Sequence, residues 1–137
     1  MAVGLLFRTQ SAKPLQVFLS QVEEKAPLFG FGVRHIFDMG NVYRERGAEV
    51  EVNFRVHSIM LCNFDGSYKS TQKNPERAAV LLQPKQIVVH ETAEGLKIHY
   101  LPFPRGFIKA VLPEDNEFAD GLARACGRVC ELIVDCV

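Results

Sequence analysis

Residues 86–101, QIVVHETAEGLKIHYL, decide the fold class. A four-residue loop, Thr92 to Gly95, sets a register that puts Ile87 and Val89 on one face with Leu96, Ile98 and Tyr100. His90, Lys97 and His99 then point to the other side, toward solvent. Side chains alternate across a strand with period two, so this stretch is a hairpin with one face on a core.

The neighbouring stretch, residues 49–62 (EVEVNFRVHSIMLC), carries the longest alternation. Val50, Val52, Phe54 and Val56 interleave with Glu51, Asn53 and Arg55. Apolar character continues through Ile59, Met60 and Leu61 to Cys62. A strand usually runs about 5–6 residues, so this one is expected to bulge or bend near His57-Ser58. By parity with Val50 to Met60, the Cys62 sulfur is expected to face inward. Gly4 to Thr9 and Phe29 to Phe37 read as two further strands, with Phe31, Val33, His35 and Phe37 on one side of the second.

Toward both ends the apolar spacing changes to three and four. Leu15, Phe18, Leu19, Val22 and Ala26 form a helical stripe that Pro14 opens and Pro27 stops. Phe118, Leu122, Ala125, Cys126, Val129, Ile133 and Cys136 form a second stripe after Pro113-Glu114-Asp115, opposite Asp120, Arg124, Arg128 and Glu131. Residues 38–47 hold one or two helical turns. Asn74-Pro75-Glu76 caps a short helix through Leu82. Asn63 to Lys73 reads as polar chain with a turn at Asp65-Gly66, and Pro102 to Gly106 as a loop.

The pattern predicts an α+β fold in which two main helices cover a curved antiparallel sheet, in the order β-α-β(4)-α. No repeat, low-complexity run or linker divides the 137 residues, so residues 1–137 are read as a single domain. The chain is 47% apolar and 23% charged, with 16 basic and 16 acidic residues. Zero net charge and a sparse basic excess argue against nucleic acid as a partner. It also leaves little colloidal repulsion, which favours self-association. No apolar run reaches the about 20 residues of a membrane span, and Met1 to Gln10 lacks the form of a signal peptide. A cytoplasmic location without membrane contact is the expectation.

Four cysteines are present, at 62, 126, 130 and 136, with no C-x-x-C pair. Their spacing, and that of His35, His57, His90 and His99, matches no metal-ligand pattern, so neither metal nor cofactor is expected. Cys126 and Cys130 read as core packing. No phosphate loop or nucleophile elbow is present. Cys62 is the chemical candidate: a thiol at a strand end that a nearby cation could activate, with His57, Lys85 or Arg55 as the source. The plainer reading of Cys62 is a small buried hydrophobe.

Several of these segments resemble one family. They are the helix leading into Phe29-Gly30-Phe31-Gly32-Val33, the strand ending in Cys62-Asn63, and Leu81-Leu82-Gln83-Pro84 ahead of Ile87-Val88-Val89. Together with the hairpin they are similar to the domain of unknown function family 302, over roughly Gly4 to Pro104. The resemblance implies a β-α-β(4)-α fold similar to that of the TATA-binding protein. It also implies a dimer, and the family is uncharacterised, with no activity to carry over. Two positions depart from the pattern. The family's C-N-P is here Cys62-Asn63-Phe64, and the cysteine that commonly follows its L-P is here Lys85.

The leading expectation is therefore a homodimeric module, not an enzyme. It would bind a small molecule or a protein between the sheet and the last helix, with Cys62, Asn63, Arg55, His57, Phe31 and Lys85 as lining residues. The alternative is a thiol-dependent enzyme or sulfur/redox protein with Cys62 as nucleophile and His57 or Lys85 stabilising its thiolate. A third reading is an interaction protein that assembles through a sheet edge or the Phe103 and Phe107 patch.

Overall fold

The computed structural model describes residues 4–137. The signal-peptide reading of Met1 to Gln10 therefore begins outside the described residues. Five strands form one antiparallel sheet: β1 (Phe7–Ser11), β2 (Gly32–Asp38), β3 (Val56–Cys62), β4 (Lys85–Thr92) and β5 (Gly95–Tyr100). Their spatial order is β1-β5-β4-β3-β2. The predicted hairpin register holds, with Ile87 opposite Tyr100 and Val89 opposite Ile98. The turn is tighter than expected because Thr92 and Gly95 still pair. Gly95 has φ +120°, and a Cβ there would lie 2.7 Å from the Ser11 carbonyl oxygen of the adjoining strand. Only glycine lets the hairpin close against β1.

Helices α1 (Leu15–Lys25) and α6 (Asn116–Cys136) cover one face. Phe18, Val22, Ile59, Ile87, Val89, Ile98, Val129, Leu132 and Ile133 meet there, each fully buried. The end of α6 is fastened to the start of the chain. Lys13 Nζ donates to the Cys136 carbonyl at 2.9 Å, and Ser11 Oγ donates to the Val137 carbonyl. Lys25 Nζ donates to the Asp135 carbonyl and pairs with its carboxylate at 3.3 Å. Cations at carbonyls that a helix end leaves free are favoured by the helix dipole as well as by the bonds.

Four shorter helices lie between: α2 (Met39–Glu45), α3 (Phe64–Lys73), α4 (Ala78–Leu81) and α5 (Arg105–Val111). A second apolar cluster, Val80, Ile108, Phe118, Ala119, Leu122 and Cys126, joins α4 and α5 to the first half of α6.

Three expectations need correction. The run from Glu49 is no strand before Val56, and Val52 stands 89% exposed. Alternation there finds no ladder. The β2 pairing starts at Asp38–His57, and beyond Val56 only the Arg55 carbonyl, accepting from the Glu91 amide, continues the bonding to β4. Without a neighbouring strand to pair with, a run with strand propensity stays irregular. The irregularity expected at His57-Ser58 occurs instead in β2, between Val33 and His35. It moves Val33 and Ile36 onto the core while His35 and Phe37 take the other face. The parity of β3 is also reversed: Ile59 and Leu61 are the core residues, and Met60 and Cys62 lie on the opposite face.

Two helices were missed. Residues 64–73, read as a polar turn, form α3 with no buried residue, so there was no apolar stripe to find. Helix α5 begins directly after Pro104, inside the segment read as a loop.

Candidate functional site

A cavity of about 620 Å³ opens where the C-terminal end of β3 and the start of β4 meet α3 and the first half of α6. Each wall follows from local chemistry. The Asn63 side chain accepts from the Gly66 amide at 2.9 Å and starts α3 where β3 ends. A Cβ at Gly66 would fall 2.7 Å from the Asn63 side-chain nitrogen, so a larger residue there would push the capping side chain aside. Asp115 caps α6 by accepting from the Phe118 amide at 3.2 Å. Arg77, only 6% exposed, fixes these walls to each other. Its Nε and one terminal nitrogen donate to the two Asp115 carboxylate oxygens at 2.7 Å each. It also donates to Ser70 Oγ in α3 and lies over the Phe118 ring. The Arg77 hydrogen bonds hold the Asp115 pKa down at about 2, and Asn74 and the Phe118 amide add to the effect.

The lining is partly apolar and partly cationic. Phe31, Met60, Leu81, Leu82 and Leu122 supply the apolar walls, and Arg34, Arg77, Lys85, Arg124 and Arg128 reach the cavity surface. The acidic lining residue is Glu117, which pairs with Lys73 at 2.9 Å. Arg77 is spent on Asp115. Among the described residues Arg34, Lys85, Arg124 and Arg128 have no ion-pair partner. Arg128 is nonetheless held in place: its Nε donates to the Phe29 carbonyl at 3.2 Å and its guanidinium lies 5.8 Å from the Phe31 ring centre. Its terminal nitrogens make no hydrogen bond to a described residue. Arg34, the residue at the β2 irregularity, lies over the Phe64 ring of α3.

Lys85 opens β4 opposite Leu61, on the core side of the sheet. Burial pushes its ammonium pKa below the ordinary lysine value, against smaller opposing effects of Cys126 and Cys62, and Arg128 adds the least, in the same direction as burial. On α6, Gly121 faces the same space, and a Cβ added there would meet nothing within 4 Å.

Of the residues singled out from sequence, Cys62, Asn63, Phe31 and Lys85 line this cavity. His57 and Arg55 do not. His57 is five residues from Cys62 along β3, which at strand rise is about 16 Å. It sits at the far end of the sheet, its Nε2 3.1 Å from Glu91 Oε1. Arg55 precedes β3 at that same end. An unbent β3 is the reason the two groups separate from the thiol. His90 and His99 are neighbours on the hairpin, ring centres 5.0 Å apart. Among the described residues no three His, Cys, Asp or Glu side chains gather as a metal site. Arg34, Arg124, Arg128 and Gly121 were not foreseen as lining residues. The two α6 arginines had been assigned to its solvent face, and no periodicity distinguishes an arginine over water from one over a cavity.

No family model and no curated protein matches the chain. Its backbone superposes on the crystal structure of the uncharacterized conserved protein DUF302 from Bacillus stearothermophilus with a TM-score of 0.74, at 18% identity, over 98% of this chain and 100% of that one. The fold is that of a DUF302 protein. Within the DUF302 fold the cavity lies at the sheet end where Cys62-Asn63 leaves β3 and Pro84-Lys85 enters β4. Among the described residues no helix is long and apolar enough to cross a membrane.

Proposed function

We propose that this chain is a binding module whose ligand is a small organic anion with an apolar body, held in the cavity beside α6. One observation carries the reading: four cations without an acidic partner converge on a concave, partly apolar space. Like charges gathered with little neutralisation repel one another, and an anion relieves that cost. Arg128, fixed by its backbone bond and ring contact, offers two terminal nitrogens in the fork that suits a carboxylate. Gly121 supports the same reading. A glycine inside a helix costs about 1 kcal/mol relative to alanine, and here it leaves open space instead of a packed wall.

The test is a calorimetric titration with 4-phenylbutanoate. Binding should weaken about tenfold in Arg128→Gln, the equivalent of about 1.4 kcal/mol, and should weaken with added salt. If 4-phenylbutylamine binds as well as the carboxylate, the reading fails.

The homodimer is part of the proposal. The sheet face away from α1 and α6 adds no residue to either apolar cluster, yet it carries Phe37, Val56 and Val88. Sedimentation of Val88→Asp should show a monomer, and an unchanged oligomer would exclude this face. The thiol reading keeps one supporting observation, that Cys62 and Lys85 share the cavity. It requires Cys62 to react with iodoacetamide near neutral pH faster than a free thiol does.

A further inference from the structure

We infer that Lys85 forms a reversible imine with a carbonyl group of the bound anion, so that the ligand class is an oxo acid whose carboxylate rests on Arg128. The inference depends on the anion-binding reading above. Its own support is the placement of one lysine.

Among the described residues Lys85 makes no ion pair and no side-chain hydrogen bond. Among the described residues no buried side-chain nitrogen or oxygen lacks a partner, so the unbonded Nζ is not sealed from solvent, and Lys85 lines the cavity. No other lysine lines the cavity. Lys13, Lys25, Lys69 and Lys73 are each tied to carbonyl or carboxylate oxygens. Burial disfavours the charged form of Lys85 and outweighs the opposing effects of Cys126 and Cys62; Arg128, which shares the wall, acts weakly in the same direction as burial. Burial makes the ammonium easier to deprotonate, and the neutral amine so released is a nucleophile. The same Arg128 is positioned to hold the carboxylate of the molecule that the amine attacks.

The step balances without an oxidant or reductant. The Nζ lone pair attacks the carbonyl carbon, and the C=O π pair moves to oxygen, which takes a proton that nitrogen gives up. The carbinolamine then loses water: the C–O bond breaks as the C=N bond forms, and both amine hydrogens leave in that water molecule. Water returning to the imine carbon reverses the sequence.

The experiment uses the full chain with 4-phenyl-2-oxobutanoate and sodium cyanoborohydride, which reduces an imine but leaves the ketone, followed by intact mass and peptide mapping. The expected result is one predominant adduct, on Lys85. It should be absent from Lys85→Met and from Lys85→Arg, which retains the charge, and reduced at least tenfold in Arg128→Gln. It should be competed away by 2-hydroxy-4-phenylbutanoate, and the uncharged ketone 4-phenyl-2-butanone should label at least tenfold less. Labelling spread over the exposed lysines, or unchanged in Lys85→Met, overturns the inference. If calorimetry shows the hydroxy acid bound while no Lys85 adduct forms, the imine falls and the anion site stands. If the hydroxy acid does not bind either, both fall.

Discussion

Separating Arg77 from Asp115 should cost more than any other single change at the rim of the cavity. The pair joins the α3–α4 side to the start of α6 through two 2.7 Å bonds, with side chains only 7% and 12% exposed. Asp115→Asn keeps the helix cap but leaves a buried guanidinium without its counter-charge, a loss of about 3–5 kcal/mol. Arg77→Met is milder, because Asp115 keeps its bonds from Asn74 and the Phe118 amide, and should cost about 2–3 kcal/mol. The double variant strands neither charge, so it should be more stable than the sum of the singles implies, with a coupling of about 2 kcal/mol. Urea unfolding of the four proteins measures this.

The pH dependence provides a second check on the pair. Asp115 has a native pKa of about 2, below its unfolded value, so its contribution is present above about pH 4 and is lost as pH falls toward 2. That depression, discounted for residual solvent access, is worth about 1–2 kcal/mol. Glu117 and Asp120 are likewise held below their ordinary values by hydrogen bonds from Lys73 and Arg105. The difference between wild type and Arg77→Met cancels Asp120, which does not depend on Arg77, and leaves Asp115 with a smaller contribution from Glu117. A coupling below about 0.5 kcal/mol, or identical acid limbs for those two proteins, would refute the reasoning.

Other consequences follow from the same geometry. Gly121→Ala should stabilise the chain by about 1 kcal/mol through helix propensity, whereas Gly121→Leu should keep the fold and lose 4-phenylbutanoate binding; thermal melts with calorimetry check both. Lys85→Met should raise stability at pH 7 by up to about 1 kcal/mol, because a partly buried ammonium without an ion-pair partner is removed. Since the native pKa of Lys85 lies below the unfolded one, the wild type should recover that deficit as pH climbs through the native value toward about 10.4, and urea midpoints at pH 7 and pH 10.5 should show the gap closing. Val52→Thr should change stability by less than about 0.5 kcal/mol and Ile59→Val should cost about 1 kcal/mol, which distinguishes irregular chain at 49–55 from a strand that starts at Val56.

What the sequence disclosed depended on whether a residue's environment was local. The hairpin register was legible because Ile87, Val89, Leu96, Ile98 and Tyr100 can be buried together in only one alignment. The last helix was legible because its stripe faces a core along most of its length. Residues 49–55 misled because alternation records what a strand would do with a partner, and the partner is missing. Helix α3 was invisible because it is held by the Asn63 cap and not by burial. The cavity was only half legible. Cys62, Asn63 and Lys85 border the two β strand ends and could be proposed from element order. Arg34 is turned by an irregularity in β2, and Arg124 and Arg128 depend on how the start of α6 is fastened by Arg77, which lies 38 residues from its partner Asp115 in sequence. Contacts across such distances leave no periodic trace.

The central claim is that this cavity takes a small organic anion, and an NMR titration of the isotope-labelled chain with 4-phenylbutanoate addresses it residue by residue. Saturable shifts should concentrate on the Arg128 Nε–H and on the amides of Cys62, Asn63, Lys85 and Gly121, with His57 and Arg55 at the far end of the sheet unmoved. Shifts scattered over surface arginines and lysines, or confined to the open sheet face, would contradict it.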